Sequence, residues 1–87
     1  MSLELVLAPG LWMPRMAMRV LAARLSQRGY RVHIFDYQGR APFDANVEAL
    51  ARFAKGKACF VGHSLGGVLV LEMLNRHPEI QAQAAVL

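Results

Sequence analysis

The chain has little with which to cross-link, chelate or span. Cys59 is the single cysteine among 87 residues, so no internal disulfide can form. In an apolar stretch it reads as a small hydrophobic side chain rather than a reactive thiol. The uncharged stretch Cys59 to Leu71 falls short of the roughly 20 apolar residues a membrane helix needs and is broken by glycines. No basic-then-apolar opening with a small-residue cleavage site is seen, and a soluble, cytoplasmic protein is the expectation. His33, His63 and His77 are far apart and have no paired cysteines or acids at i, i+4, so no metal spacing exists and no metal or other cofactor is expected. The turn after the first apolar run has no phosphate-cradling series of glycines and no Gly-Lys-Ser/Thr, which argues against a nucleotide-binding domain. Aromatics make up only 8% of the chain, and its ten basic residues are scattered without aromatic interleaving. The net charge of +4 therefore reads as solvated helix faces, with no nucleic-acid partner.

What is present is an alternation of two periods. At 55% hydrophobic the chain is not disordered, and its length suits one small domain covering residues 1–87. Leu3 to Ala8 is a short apolar run stopped by Pro9-Gly10. After Pro14, the residues Met18, Leu21, Ala22 and Leu25 recur at i, i+3, i+4, i+7, and Gly29 ends that helix. Tyr30 to Phe35 is β-rich, and Asp36 to Gly39 reads as a turn. Asp44 can cap a helix carrying Val47, Leu50, Ala51 and Ala54, closed at Gly56. Lys57 to Val61 reads as a buried strand, Leu65 to about His77 as a helix apolar on most sides, and Ala82 to Leu87 as a last strand. Pro78 prevents continuation of that helix. The order β-α-β-α-β-α-β implies right-handed crossovers. The expected fold is α/β: a three-layer, four-stranded, mostly parallel sheet with helices on both faces. Ligand sites in such sheets lie beyond the carboxyl ends of the strands.

One such end carries Gly62-His63-Ser64-Leu65-Gly66-Gly67, which fits G-x-S-x-G with strand before and helix after. This turn pushes a serine hydroxyl out at the top of a sheet. Gly62 and Gly66 remove the Cβ atoms that would clash there, and Gly67 adds room for the helix to cross close to the strand. The backbone N–H of Leu65, at the helix start, points toward a developing oxyanion. His63 packs or borders a pocket more readily than it acts as a base. His33 reads as a sheet-face residue and Asp36 as a turn cap.

These residues resemble the α/β-hydrolase family, in particular its small lipase- and esterase-like members. The likeness covers essentially the whole chain but only about the first half of a typical member. Leu7-Ala8-Pro9-Gly10-Leu11-Trp12 is similar to the end of the central strand and its oxyanion loop. Gly29-Tyr30-Arg31-Val32 and Asp36-Tyr37-Gln38-Gly39-Arg40 are similar to the next strand and its exit loop. The resemblance implies strands in the order second, first, third, fourth. It makes Ser64 the nucleophile, with the N–H groups of Leu65 and Leu11 as oxyanion donors. Trp12 and Met13 line an acyl pocket or simply pack; both readings stand. Pro9 replaces the family's usual histidine at that point. The implied reaction is hydrolysis of a hydrophobic carboxylic ester.

Family members follow the serine with an acid and then a histidine. Here only Glu72, Glu79 and His77 follow Ser64. His77 is roughly 18–20 Å along the helix from it at about 1.5 Å per residue. The expectation is a truncated domain, inactive alone because acid and histidine are missing. The alternative is a non-catalytic half-domain that self-associates or binds a complementary C-terminal fragment through its apolar last strand.

Overall fold

The computed structural model describes residues 3–10, 14–36, 42–57 and 59–87. Four strands and three helices alternate: β1 (Leu3–Ala8), α1 (Arg15–Gln27), β2 (Tyr30–Ile34), α2 (Phe43–Phe53), β3 (Cys59–Gly62), α3 (Leu65–Arg76) and β4 (Ala84–Val86). All three strand pairings are parallel, and the sheet order is β2-β1-β3-β4. The fold is thus the α/β arrangement that the two alternating periods imply, with β1 at the centre.

Side-chain alternation along β1 splits the core into two layers. Leu5 and Leu7 join Met18 and Cys59 beneath α1. Val6 and Ala8 face the other way and join Val47, Leu50, Phe60, Leu69, Val70 and Met73 beneath α2 and α3. Fully burying a Leu, Val or Met side chain contributes about 1.5–3 kcal/mol, so the α2/α3 layer, the larger of the two, dominates the hydrophobic stabilisation. Helices therefore cover both faces of the sheet.

Local breakers set most boundaries, with some differences from the sequence expectation. Asp44 does not cap α2. Pro42 holds the N-cap position, and the Asp44 carboxylate instead accepts from Arg76 at 2.7 Å. β3 is Cys59–Gly62, paired with Leu5 to Ala8 of β1, and Lys57 lies outside it. The apolar circumference of α3 is buried on one side only. Leu69, Val70 and Met73 are fully enclosed, whereas Val68 and Leu71 are more than half exposed. Among the described residues no element lies on that second side.

Charged groups pin α2 to α3. Besides the Arg76–Asp44 pair, the His77 ring contacts Glu48 through Nε2 at 3.0 Å and Glu79 through Nδ1 at 3.1 Å. Hydrogen bonding to Glu48, then to Glu79, holds the His77 pKa above its ordinary value of 6.5. Glu79 is held below 4.5, first by a backbone hydrogen bond and then by His77. The signs follow from linkage. The raised histidine stabilises the fold fully below about pH 6.5 and loses that contribution as pH rises through its folded pKa. The lowered carboxylate contributes above about pH 4.5 and loses its share as pH falls further. Thermal melts are therefore expected to peak in the mildly acidic range between these values. His77→Gln should flatten the decline on the alkaline side, and an unchanged profile in that variant would refute the assignment.

Candidate active site

β3 ends at Gly62 and α3 starts at Leu65, so the chain turns from strand to helix within two residues. Ser64 sits at the bend with φ 57° and ψ −121°. It is the one non-glycine at positive φ among the described residues. A side chain there carries strain of about 1–3 kcal/mol, which persists only where surrounding structure enforces it. The enforcement is visible. His63 N–H donates to the Ala8 carbonyl at 3.0 Å, fixing the chain to the end of β1. The Ser64 carbonyl accepts from Gly67 N–H at 2.9 Å and Val68 N–H at 3.2 Å, starting the helix. Ser64 itself is exposed.

The bend is possible because two glycines let backbones meet. A Cβ on Gly66 would lie 2.0 Å from the Ala8 carbonyl oxygen, and one on Gly62 would lie 2.6 Å from Gly67 Cα. Gly67 is different: a Cβ there would find nothing closer than 3.6 Å. The tight crossing expected at Gly67 is thus made by Gly66 against β1 and by the missing side chain of Gly62. The Ala8 carbonyl, which both receives the His63 N–H and abuts Gly66, was not singled out in the sequence. Its only local signal is a small residue immediately before Pro9-Gly10.

The Pro9-Gly10 turn lies directly against the elbow. A Cβ on Gly10 would stand 3.1 Å from both Ser64 Cβ and the His63 carbonyl oxygen, and 3.2 Å from His63 Nδ1. The carboxyl ends of the adjacent strands β1 and β3 thus converge at Ser64. Leu11, Trp12 and Met13, the expected second oxyanion donor and pocket residues, lie outside the described residues. So do Tyr37 to Arg40 of the β2 exit loop.

Leu65 N–H is the first of α3 and has no acceptor within the helix. No described residue accepts it either. It lies beside Ser64 at the positive end of the helix dipole, where a developing negative charge is stabilised. A model of the alpha/beta hydrolase family matches residues 5–87. The chain belongs to the α/β-hydrolase family. Among curated relatives, a protein of Mycobacterium phage D29 described as a non-heme haloperoxidase is 32% identical over 95% of this chain and 34% of its own length. A pyrethroid hydrolase of Sphingobium wenxiniae is 35% identical over 63% of this chain and 24% of its own length. The chain thus spans about a third or less of the curated relatives it matches. No solved structure matches.

Of the other polar residues weighed in the sequence, His77, Glu72 and His33 are engaged in pairs. His77 is at the far end of α3, held by Glu48 and Glu79, and Glu72 is paired with Arg76 at 3.0 Å. His33 is on the sheet face and meets Glu4 of β1 at 2.6 Å. Asp36 is exposed at the end of β2. No group of three or more His, Cys, Asp or Glu able to hold a metal is found among the described residues. No helix among them is long and apolar enough to cross a membrane.

Proposed function

We propose that this chain carries the nucleophile of a serine hydrolase acting on carboxylic esters. Ser64 gives its hydroxyl proton to a base as it attacks the ester carbonyl, the alcohol leaves and an acyl-enzyme forms, and water then releases the carboxylic acid and regenerates the serine. Leu65 N–H is the oxyanion donor from the elbow, and Leu11 N–H is the second by family resemblance. The observation that carries the reading is the strained, exposed Ser64 beside the Leu65 N–H, which meets no acceptor among the described residues. The apolar character of Leu11, Trp12, Met13 and Leu65 favours a hydrophobic acyl group. The name of one relative, a pyrethroid hydrolase, is in keeping with hydrolysis.

In this reading the acid and histidine of the triad are not supplied by the residues that follow Ser64 in the chain. Glu72, His77 and Glu79 are engaged elsewhere, and α3 separates His77 from the elbow by roughly 18 Å at about 1.5 Å per residue. Ester turnover by these residues alone is expected to fall at least ~10⁴-fold below that of a complete triad. The test is p-nitrophenyl ester hydrolysis together with fluorophosphonate labelling, using Ser64→Ala as control. Labelling of the chain but not of the variant supports the reading, and equal labelling in both rejects it.

A second reading has its own support. Among the described residues β4 pairs with β3 alone, and all three of its residues are exposed. An unpaired apolar edge is a template for another strand, which favours a half-domain that self-associates or accepts a complementing segment. Size-exclusion chromatography separates the two readings, since a stable monomer with a cooperative melt removes the second.

A further inference from the structure

The charge of the chain is unevenly placed. Residues 5–35 contain Arg15, Arg19, Arg24, Arg28 and Arg31 and no acidic residue. Everywhere else the acidic residues slightly outnumber the basic ones, so the net +4 arises in this one segment. Arg31 is paired with Glu4 across the β1–β2 ladder. The guanidinium groups of Arg19, Arg24 and Arg28 meet no carboxylate among the described residues, and all three side chains are exposed on and just after α1.

The same helix face is apolar at its centre. Met18 is buried against the sheet, and at 3.6 residues per turn the opposite side of α1 carries Met16 and Val20, four residues apart. They are 71% and 49% exposed. Arg19 flanks this stripe on one side and Arg24 on the other. A helix whose outermost stripe is aliphatic and whose margins are cationic, with no neighbouring acid, matches a surface that is both anionic and greasy. A nucleic acid would satisfy the arginines but offers nothing to Met16 and Val20, and the face has no described aromatic on which bases could stack.

We propose that the outer face of α1 docks on an anionic lipid surface. Arg19, Arg24 and Arg28 meet the headgroup phosphates and carboxylates, and Met16 and Val20 enter the boundary of the acyl layer. The inference does not depend on Ser64 chemistry, because α1 and the elbow are separate features of the fold.

The test is co-sedimentation of the full chain with phosphatidylcholine vesicles, with and without about 30% phosphatidylserine. Binding to the anionic vesicles alone, weakened by salt, is expected. Arg19→Gln/Arg24→Gln should weaken it about 25-fold. Arg52→Gln/Lys55→Gln, which removes the same charge from the end of α2, should leave it within about twofold of the parent. Met16→Gln/Val20→Gln, at unchanged charge, should also weaken it; both residues point outward, and circular dichroism checks that the variants fold. The proposal is overturned if neutral vesicles bind equally, if anionic vesicles do not bind, or if the two charge variants lose affinity alike. It is also overturned if a DNA duplex binds as well as the anionic vesicles and is insensitive to Met16→Gln/Val20→Gln. Ser64→Ala should bind vesicles unchanged whatever its effect on labelling, so the hydrolase reading and this one can fail separately.

Discussion

Gly66→Ala is expected to destabilise the chain by about 3 kcal/mol or more, enough to abolish a cooperative melt in a small domain. The added carbon would stand 2.0 Å from the Ala8 carbonyl oxygen, 2.5 Å from its carbon and 2.7 Å from the Pro9 oxygen. None of these is a side chain that can swing aside. Relief requires α3 to retreat from β1 by more than an ångström, pulling Leu69, Val70 and Met73 out of the layer they fill. Gly67→Ala is the matched control. It adds the same methyl one residue later, where the nearest atom is 3.6 Å away, and gains about 0.5–1 kcal/mol of helix propensity. Denaturant titration of the pair gives opposite signs if the crossing is as tight as described. Similar midpoints would show that α3 does not rest on the end of β1.

The second large effect is a trade of reactivity for stability at Ser64. Ser64→Gly should abolish fluorophosphonate labelling and, at the same time, raise stability by about 1 kcal/mol. Glycine tolerates φ 57°, ψ −121° without a Cβ clash, releasing strain of about 1–3 kcal/mol, while its greater freedom in the unfolded chain offsets about 1 kcal/mol of that. Ser64→Ala also loses the hydroxyl but keeps the Cβ, so it should lose labelling without the gain. The difference in melting midpoint between the two variants isolates the backbone term from the chemistry. If both melt together, the bend stores no strain and the elbow is merely a turn. If labelling persists in either, another residue is reactive. A serine held against its backbone preference, at the meeting point of β1, β3 and α3, is what a hydrolase elbow needs.

The sequence was most informative where the signal is local. Ser64 with Gly62 and Gly66 could be read from six residues because the bend places steric demands on its immediate neighbours. The order of strands and helices was legible for the same reason: Pro9-Gly10, Gly29, Gly56 and Pro78 break the chain where the apolar period changes. What local pattern could not supply was which surfaces are covered. Val68 and Leu71 look like core residues in the α3 pattern, yet both are largely exposed. Periodicity counts apolar residues and cannot tell whether a neighbouring element arrives to meet them. Asp44 had the right chemistry for a cap, but α2 starts at Phe43 with Pro42 at its N-cap, so Asp44 falls inside the first turn and its carboxylate meets Arg76, 32 residues away.

By itself, then, the sequence determined the alternating α/β order and the strand-to-helix bend at Ser64, because backbone sterics and side-chain period act over a few residues. Tertiary structure alone decided that Gly66 rather than Gly67 bears the close crossing. It also brought Gly10 against Ser64, tied His77 to Glu48 and left the arginine-flanked face of α1 without a partner among the described residues. Each of these depends on where parallel pairing sets β1 beside β2 and β3, a register fixed by contacts between residues far apart in the chain.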